Sequence, residues 1–357
     1  MSLPPKKDAT DLHSLITTRI AQSGPMTVAQ YMAECLLHPT KGYYTTRAPF
    51  GAAGDFVTAP EISQMFGELI GLCLAQSWLD QGSPDRFSLA ELGPGRGTLM
   101  VDALRAAQKV PGFVEAADIV MVEASDNLAA IQRASLGAYS VSWINSAEGL
   151  ADQPLFLIAN EFFDALPIRQ FQRSGEHWRE RQIGQTQGRL HFGLAPAGPH
   201  LTIDHRLKDT KDGDIVEYAP SASMIVHSVG QKINDHGGAA LIIDYGDWRA
   251  LGDTLQAVAA HEQTDPLINP GGADLTAHVD FEALALAVPC SYTRLTPQGV
   301  FLERLGITAR AQMLAQTLQG AALDTHVAAH RRLTHGDEMG NLFKVMGLFP
   351  SSAPPPP

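Results

Sequence analysis

Apolar residues recur at roughly helical spacing over residues 12–37, and Ser23-Gly24-Pro25 interrupts them with turn chemistry, so two helices are predicted there. After an irregular stretch over 38–60, the apolar positions from Glu61 to Trp78 predict a third helix. Its interior Gly67 and Gly71 predict close packing against a neighbour. The pattern then changes. Residues 87–92 form a short apolar run, 93–97 a glycine loop and 98–110 a helical stretch, with further apolar runs at 119–122, 155–159 and 239–243. Short buried runs alternating with helical segments predict an α/β chain whose mostly parallel sheet carries helices on both faces. Residues 169–199 read as a strand hairpin inserted in that sheet domain, and 261–272 as a long ordered loop. The expected division is a helical N-terminal region over 1–84 and a sheet domain over 85–350. That domain contains the hairpin and an ordered loop near 250–280, and a proline-rich disordered tail follows at 351–357.

Composition narrows the partners. The chain has 357 residues, 45% of them hydrophobic and 18% charged, which suits a sizeable core. With 26 basic and 38 acidic residues the net charge is −12, which disfavours broad attraction to nucleic acid or anionic lipid. Cys35, Cys73 and Cys290 lie far apart without CxxC spacing, as expected of reduced thiols in a cytoplasmic protein. No apolar run reaches the roughly 18 residues of a membrane span, and neither a secretory signal nor an Arg-rich presequence is seen at the start. No metal-ligand spacing and no Ser-His-Asp arrangement stands out.

The richest chemistry lies in Leu89-Ala90-Glu91-Leu92-Gly93-Pro94-Gly95-Arg96-Gly97-Thr98. A strand entering a glycine loop and then a helix offers backbone N–H groups to a ligand, and glycine permits approach that a Cβ would block. The dinucleotide spacing G-x-G-x-x-G is not met, because its third position falls on Thr98, and Glu91 would repel a pyrophosphate. A cofactor with a cationic end and no phosphate fits better. S-adenosyl-L-methionine is such a molecule, and E-x-G-x-G-x-G, with Glu91, Gly93, Gly95 and Gly97, is the matching pattern. Glu123, ending the apolar run 119–122, is placed to accept both ribose hydroxyls; the alternative is an acid at a helix entry.

Residues 155–159 lead into Asn160-Glu161-Phe162-Phe163-Asp164-Ala165-Leu166-Pro167, where an acceptor should meet the methyl group. Paired carboxylates favour a cationic acceptor such as arginine, whose guanidinium stays protonated at neutral pH and must be held in line while its proton is managed. Glu161 and Asp164 are the candidates for this work, with Asn160 fixing the loop or a polar group of the cofactor. Capping of a following helix is the structural alternative for Asp164.

These residues resemble the MidA family of mitochondrial complex I assembly methyltransferases and their bacterial relatives. The likeness extends to His38-Pro39-Thr40-Lys41-Gly42-Tyr43-Tyr44, Gly54-Asp55-Phe56-Val57-Thr58-Ala59-Pro60-Glu61, Asp265-Pro266-Leu267 and Asp274-Leu275-Thr276-Ala277-His278-Val279-Asp280-Phe281. The resemblance implies a class I methyltransferase (Rossmann-like) sheet with an N-terminal helical layer and inserted strands. It implies S-adenosyl-L-methionine as donor and symmetric dimethylation of an arginine in the quinone-site subunit of complex I. A bacterial member would act in the cytoplasm, and eukaryotic relatives in mitochondria. The resemblance also directs attention to residues 54–61, where Thr58, Pro60 and Glu61 would help close over the cofactor. Tyr43 and Tyr44 would line an acceptor channel, or simply pack, and Tyr245 would orient the acceptor. Three rival functions remain at this level: a methyltransferase for another acceptor, an assembly factor that binds cofactor without needing turnover, and a nicotinamide-dependent oxidoreductase.

Overall fold

The computed structural model describes residues 11–46 and 58–357, so residues 54–57 of the expected cofactor cover lie outside the described residues. The chain divides into two compact units, and neither is a continuous stretch of sequence. One takes residues 11–46, 167–219 and 251–277, and the other 58–166, 220–250 and 278–357. This differs from a boundary at 84 followed by one sheet domain over 85–350. The reason lies in what is buried with what: Leu12, Ile16, Tyr31 and Met32 share a core with Ile168, Ile183 and Leu275, drawn from the hairpin and loop regions.

In this first unit the break at Ser23-Gly24-Pro25 separates helices Leu12–Ser23 and Val28–Leu37. Asp11 caps the former by accepting the Ser14 N–H, and Thr27 with Gln30 forms a capping box on the latter. Residues 169–199, expected as a hairpin inserted in the sheet domain, instead give this unit three strands, Arg169–Ser174, His177–Thr186 and Arg189–Leu194, which pair antiparallel in sequence order. Met26–Thr27 and Ile215–Tyr218 extend that sheet. The stretch expected to be a long loop is loop over 265–272, but its first residues are strand: Gln256–Ala259 pairs antiparallel with both Glu262–Thr264 and Asp274–Thr276. Ala260 and His261, at φ of 52° and 65°, make the reversal between the first two, a backbone geometry that hydrophobic periodicity does not report.

The second unit is built on a central sheet whose strand order is Ser291–Tyr292, Phe343–Phe349, Gly238–Asp247, Leu155–Asn160, Phe87–Leu92, Ala117–Val122, Val141–Ile144. Strands 87–92, 117–122, 141–144, 155–160 and 238–247 run parallel, and Phe343–Phe349 is antiparallel to its neighbour. The chain moves outward from Phe87–Leu92 in one direction and then restarts on its other side at Leu155–Asn160. This topological switch opens a crevice beyond the carboxyl ends of these two strands. Helices Gln64–Asp80 and Thr98–Ala107 pack face to face. A Cβ on Gly67 would lie 2.9 Å from the Leu99 carbonyl oxygen and one on Gly71 2.6 Å from Ala103 Cα, so the close packing expected from these glycines is present. The tail expected to be disordered instead returns to the sheet: Pro356 is buried and lies beside Gly347. Among the described residues no helix is long and apolar enough to cross a membrane.

Candidate active site

The crevice of the second unit is lined by Thr58, Pro60, Glu61, Glu91, Gly93, Gly95, Thr98, Asn160 and Glu161, among others. Strand Phe87–Leu92 is buried along its whole length and delivers Glu91 and then the loop to the sheet edge. Gly93, Gly95 and Gly97 have φ of 60°, 54° and 81°, and a Cβ on Gly93 would also come within 2.8 Å of the Phe162 ring. Glycine is therefore required at position 93 by both backbone and space. Glu91 is 3% exposed, and its Oε2 has no hydrogen-bond partner among the described residues. Burial pushes its carboxyl up to about 8, against a hydrogen bond from the Met100 backbone. Thr58 precedes the short helix Ala59–Ile62, whose Glu61 accepts the Thr98 hydroxyl, so this wall is tied to the start of the glycine-loop helix.

Glu123 follows strand Ala117–Val122 at the same edge, where its N–H continues the sheet to the Ile144 carbonyl. Ser125, two residues on, is the true cap of helix Asp126–Ser135, so Glu123 is not a helix-entry acid. Its Oε1 accepts the Ser125 N–H at 2.7 Å and its Oε2 accepts Gln132 Nε2 at 3.1 Å. The Ala124 N–H also reaches this carboxylate, so of its roughly four acceptor sites about one is left for a further donor. Burial raises the Glu123 carboxyl above its usual range, and the bonds from Ser125 and Gln132 work against that shift.

Beyond strand Leu155–Asn160 the chain turns sharply at Glu161, a non-glycine residue with φ of 50°. Its Oε1 accepts the Ala59 N–H and Asn160 Nδ2, each at 3.1 Å. The Asn160 Oδ1 and the Asp164 Oδ1 are both buried without a partner among the described residues. No helix follows Asp164, so capping does not explain it. Instead its carboxylate receives the Tyr245 hydroxyl and the Ala165 amide. A third acid sits beneath them: Asp244, fully buried, accepts the N–H groups of Phe163 at 2.9 Å, Asp164 at 3.2 Å and Tyr245 at 3.0 Å. Burial, then the neighbouring acid Asp164, pushes Glu161 up to about 7. Burial likewise takes Asp164 to about 6, and Asp244 lies well above the carboxylate range because of burial and then its two acidic neighbours.

A family model for S-adenosyl-L-methionine-dependent methyltransferases matches residues 69–298. The chain belongs to this family. It is 36% identical to the mitochondrial protein arginine methyltransferase NDUFAF7 of Xenopus tropicalis, over 97% of this chain and 88% of that protein. Identity to the Homo sapiens protein of the same name is 34%, over 97% of this chain and 85% of that one. A crystal structure of a Burkholderia thailandensis protein bound to S-adenosyl-homocysteine superposes with a TM-score of 0.82 at 28% identity, covering 98% of this chain and 95% of that one. The methyl donor of the family is S-adenosyl-L-methionine, and the crevice suits it. An unpartnered buried carboxylate oxygen on Glu91 complements a cationic ligand, and the glycine loop leaves its floor without side chains.

In the methyltransferase, the expected acceptor residues fall in different units. Tyr245 is brought to the acidic loop, with its ring edge-on to His278 at 5.3 Å and to Phe343 at 5.6 Å. Tyr43 and Tyr44 belong to the first unit, where Tyr43 is fully buried in the core and Tyr44 donates to Asp274 at 2.8 Å. Two residues of the site went unread in the sequence. Asp244 carries a signal in retrospect, an acid ending an apolar run just before Tyr245. Gln132 carries none, because a polar residue within a helix pattern reads as solvent-facing.

Proposed function

We propose that this methyltransferase transfers a methyl group to an arginine of a protein acceptor. The observation that carries the reading is the acidic loop beside the crevice. No guanidinium hydrogen-bonds Glu161 or Asp164 among the described residues, Arg332 reaching Glu161 by charge alone, and Asp164 keeps a buried oxygen without a donor. A guanidinium brings five N–H donors and a positive charge, which is what such a pair lacks. The names of the relatives agree with this acceptor class.

In this reading Gly93, Gly95 and Gly97 supply backbone to the cofactor, Glu91 faces its cationic end, and Glu123 accepts from the ribose. Thr58, Pro60 and Glu61 form a wall over it. When bound, S-adenosyl-L-methionine supplies a methyl group on sulfonium sulfur, and its transfer to nitrogen requires one proton to leave the guanidinium. Glu161 takes that proton, since its carboxyl at about 7 is poised to exchange one near neutral pH. Asp164 holds the guanidinium with it, Asn160 fixes the Glu161 carboxylate, and Tyr245 orients Asp164. No acceptor contact is assigned to Tyr43, whose side chain is fully buried.

The proposal extends to the acceptor itself, an arginine in the quinone-site subunit of complex I, dimethylated symmetrically in the bacterial cytoplasm in support of complex assembly. Resemblance to the MidA family supports this finer part. Mass spectrometry of unmethylated subunit, incubated with the protein and S-adenosyl-L-methionine, tests it. Two methyl groups gained on one arginine are expected. Transfer to arginine in other proteins but not this one would refute only the subunit, and absence of any arginine product with cofactor bound would refute the acceptor class.

A further inference from the structure

Gln132 is 0% exposed, although it lies on a helix whose outer face is polar. Its side-chain amide is fully engaged. Nε2 donates to the Gly95 carbonyl at 2.8 Å and to Glu123 Oε2 at 3.1 Å, while Oε1 accepts the Trp143 indole N–H at 2.9 Å. Three elements that are separate in sequence thus meet at one amide: the glycine loop, the end of strand Ala117–Val122 and strand Val141–Ile144. Trp143 decides which way the amide faces, because an indole nitrogen can only donate and so demands the amide oxygen. That leaves both amide protons for the two acceptors on the cofactor side. The Trp143 ring is itself held by Arg133, whose guanidinium lies 4.7 Å from the ring centroid.

We infer that Gln132 is a positioning residue for the nucleoside end of the cofactor, acting through Glu123 and the Gly95 peptide, with Trp143 fixing its orientation. The inference rests on the reading of Glu123 as the ribose acceptor. Binding one proton of the Gln132 amide fixes Glu123 Oε2 in place, and the carboxylate still has about one acceptor site for a hydroxyl beside its bonds from Ser125, Gln132 and Ala124. At the glycine loop, holding the Gly95 carbonyl toward Gln132 aims the next N–H, that of Arg96, the opposite way, since the two are antiparallel across a trans peptide. A short carboxylate partner alone would not couple these two contacts. A buried amide that serves both makes the loop and the carboxylate move as one piece.

The test is a double-mutant cycle on S-adenosyl-homocysteine affinity by calorimetry, using Gln132→Met and Glu123→Gln singly and together. Hydrogen bonds to charged groups are worth about 1.5–3 kcal/mol, so Gln132→Met should weaken binding roughly 10- to 100-fold. In the Glu123→Gln background the same change should cost clearly less, because one of the two groups through which it acts has lost its charge while the Gly95 contact remains. Competition with fragments should localise the loss, with adenosine weakened and methionine unaffected. Equal costs in both backgrounds, or equal losses for both fragments, would overturn the role of Gln132 and reduce it to packing. Unchanged affinity in Glu123→Gln alone would instead refute the ribose role of Glu123, and this inference with it. Should Gln132→Met fail to fold, Trp143→Phe keeps the aromatic body but removes the donor. It is expected to weaken binding about threefold in the native background and by less beside Glu123→Gln, and additive costs there would overturn the inference.

Discussion

Each unit of the protein buries acid, one carboxylate in the first and a group in the second, and the two are treated oppositely. In the first unit Glu217 is 5% exposed and accepts Gln170 Nε2 at 2.7 Å, the Thr254 N–H at 3.0 Å and the Thr254 hydroxyl. Gln170 also reaches Asp253, and Arg181 completes the cluster by pairing with Asp253 at 2.6 Å and donating to Gln170. In the second unit Glu161, Asp164 and Asp244 repel one another, Arg332 acts on Glu161 by charge alone without a hydrogen bond, and Asp164 keeps a buried oxygen without a donor. Buried polar groups without partners are costly, so a fold that tolerates them at one place and satisfies them at another marks the first place for a ligand. Arg181 does internally what an incoming arginine would do at the acidic loop.

The strongest way to break this comparison is to remove one charge from the open cluster. Glu161→Gln is expected to lower turnover by about 10²- to 10⁴-fold, the usual worth of a positioned base, with S-adenosyl-homocysteine affinity close to native. Turnover near the native rate in that variant would remove Glu161 from the chemistry.

The pH dependence sharpens the contrast further. Burial raises the Asp164, Glu161 and Glu91 carboxyls to about 6, 7 and 8 in the folded protein, from ordinary values of 3.8 for Asp and 4.5 for Glu. Between about pH 4 and 8 the folded protein therefore holds protons that the unfolded chain has lost. Stability from these groups is fully present below about pH 4 and declines as pH rises through their folded values. The urea midpoint of the cofactor-free protein should fall from pH 5 to 8, and Glu91→Gln should flatten the upper part of that fall. Activity runs the other way. The kcat/KM should rise through about pH 7 as Glu161 loses its proton, and a flat profile would argue against it.

A third, smaller effect comes from the closed cluster. Glu217→Gln turns an acceptor oxygen into a donor facing Gln170 or Thr254, which should cost about 1–3 kcal/mol of stability by urea unfolding. Cofactor affinity should remain native, since the cluster's partners are internal to the first unit. The smallest effect is expected at Gly93→Ala, where the left-handed backbone and the 2.8 Å approach of Phe162 should cost about 1–2 kcal/mol. Here the loss should appear in cofactor affinity as well as in thermal stability.

What the sequence could reveal tracks the range over which each interaction acts. Residues 87–97 and 119–123 were legible because a buried run, a glycine loop and a terminal acid are neighbours in the chain. The acidic loop was legible for the same reason, at Glu161 and Asp164. Asp244 was not, because it reaches Phe163 and Asp164 only when strands Leu155–Asn160 and Gly238–Asp247 lie side by side, with Ile243 opposite Asn160. Gln132 needs three such elements in register. The domain boundary at 84 failed for a related cause, since local composition cannot show that residues 12–37 share a core with Ile183 and Leu275.

The discontinuity of the first unit bears on how the chain comes off the ribosome. Helices Leu12–Ser23 and Val28–Leu37 emerge early, yet the strand that contributes Leu275 to their core is synthesised about 230 residues later. At roughly 5–20 residues per second that is a delay on the order of 10–50 seconds, during which their core, even after Ile168 and Ile183 arrive, lacks its last strand. A nascent chain of this protein is therefore a natural client for a holdase, and synonymous slowing of translation between codons 47 and 250 should lengthen that dependence.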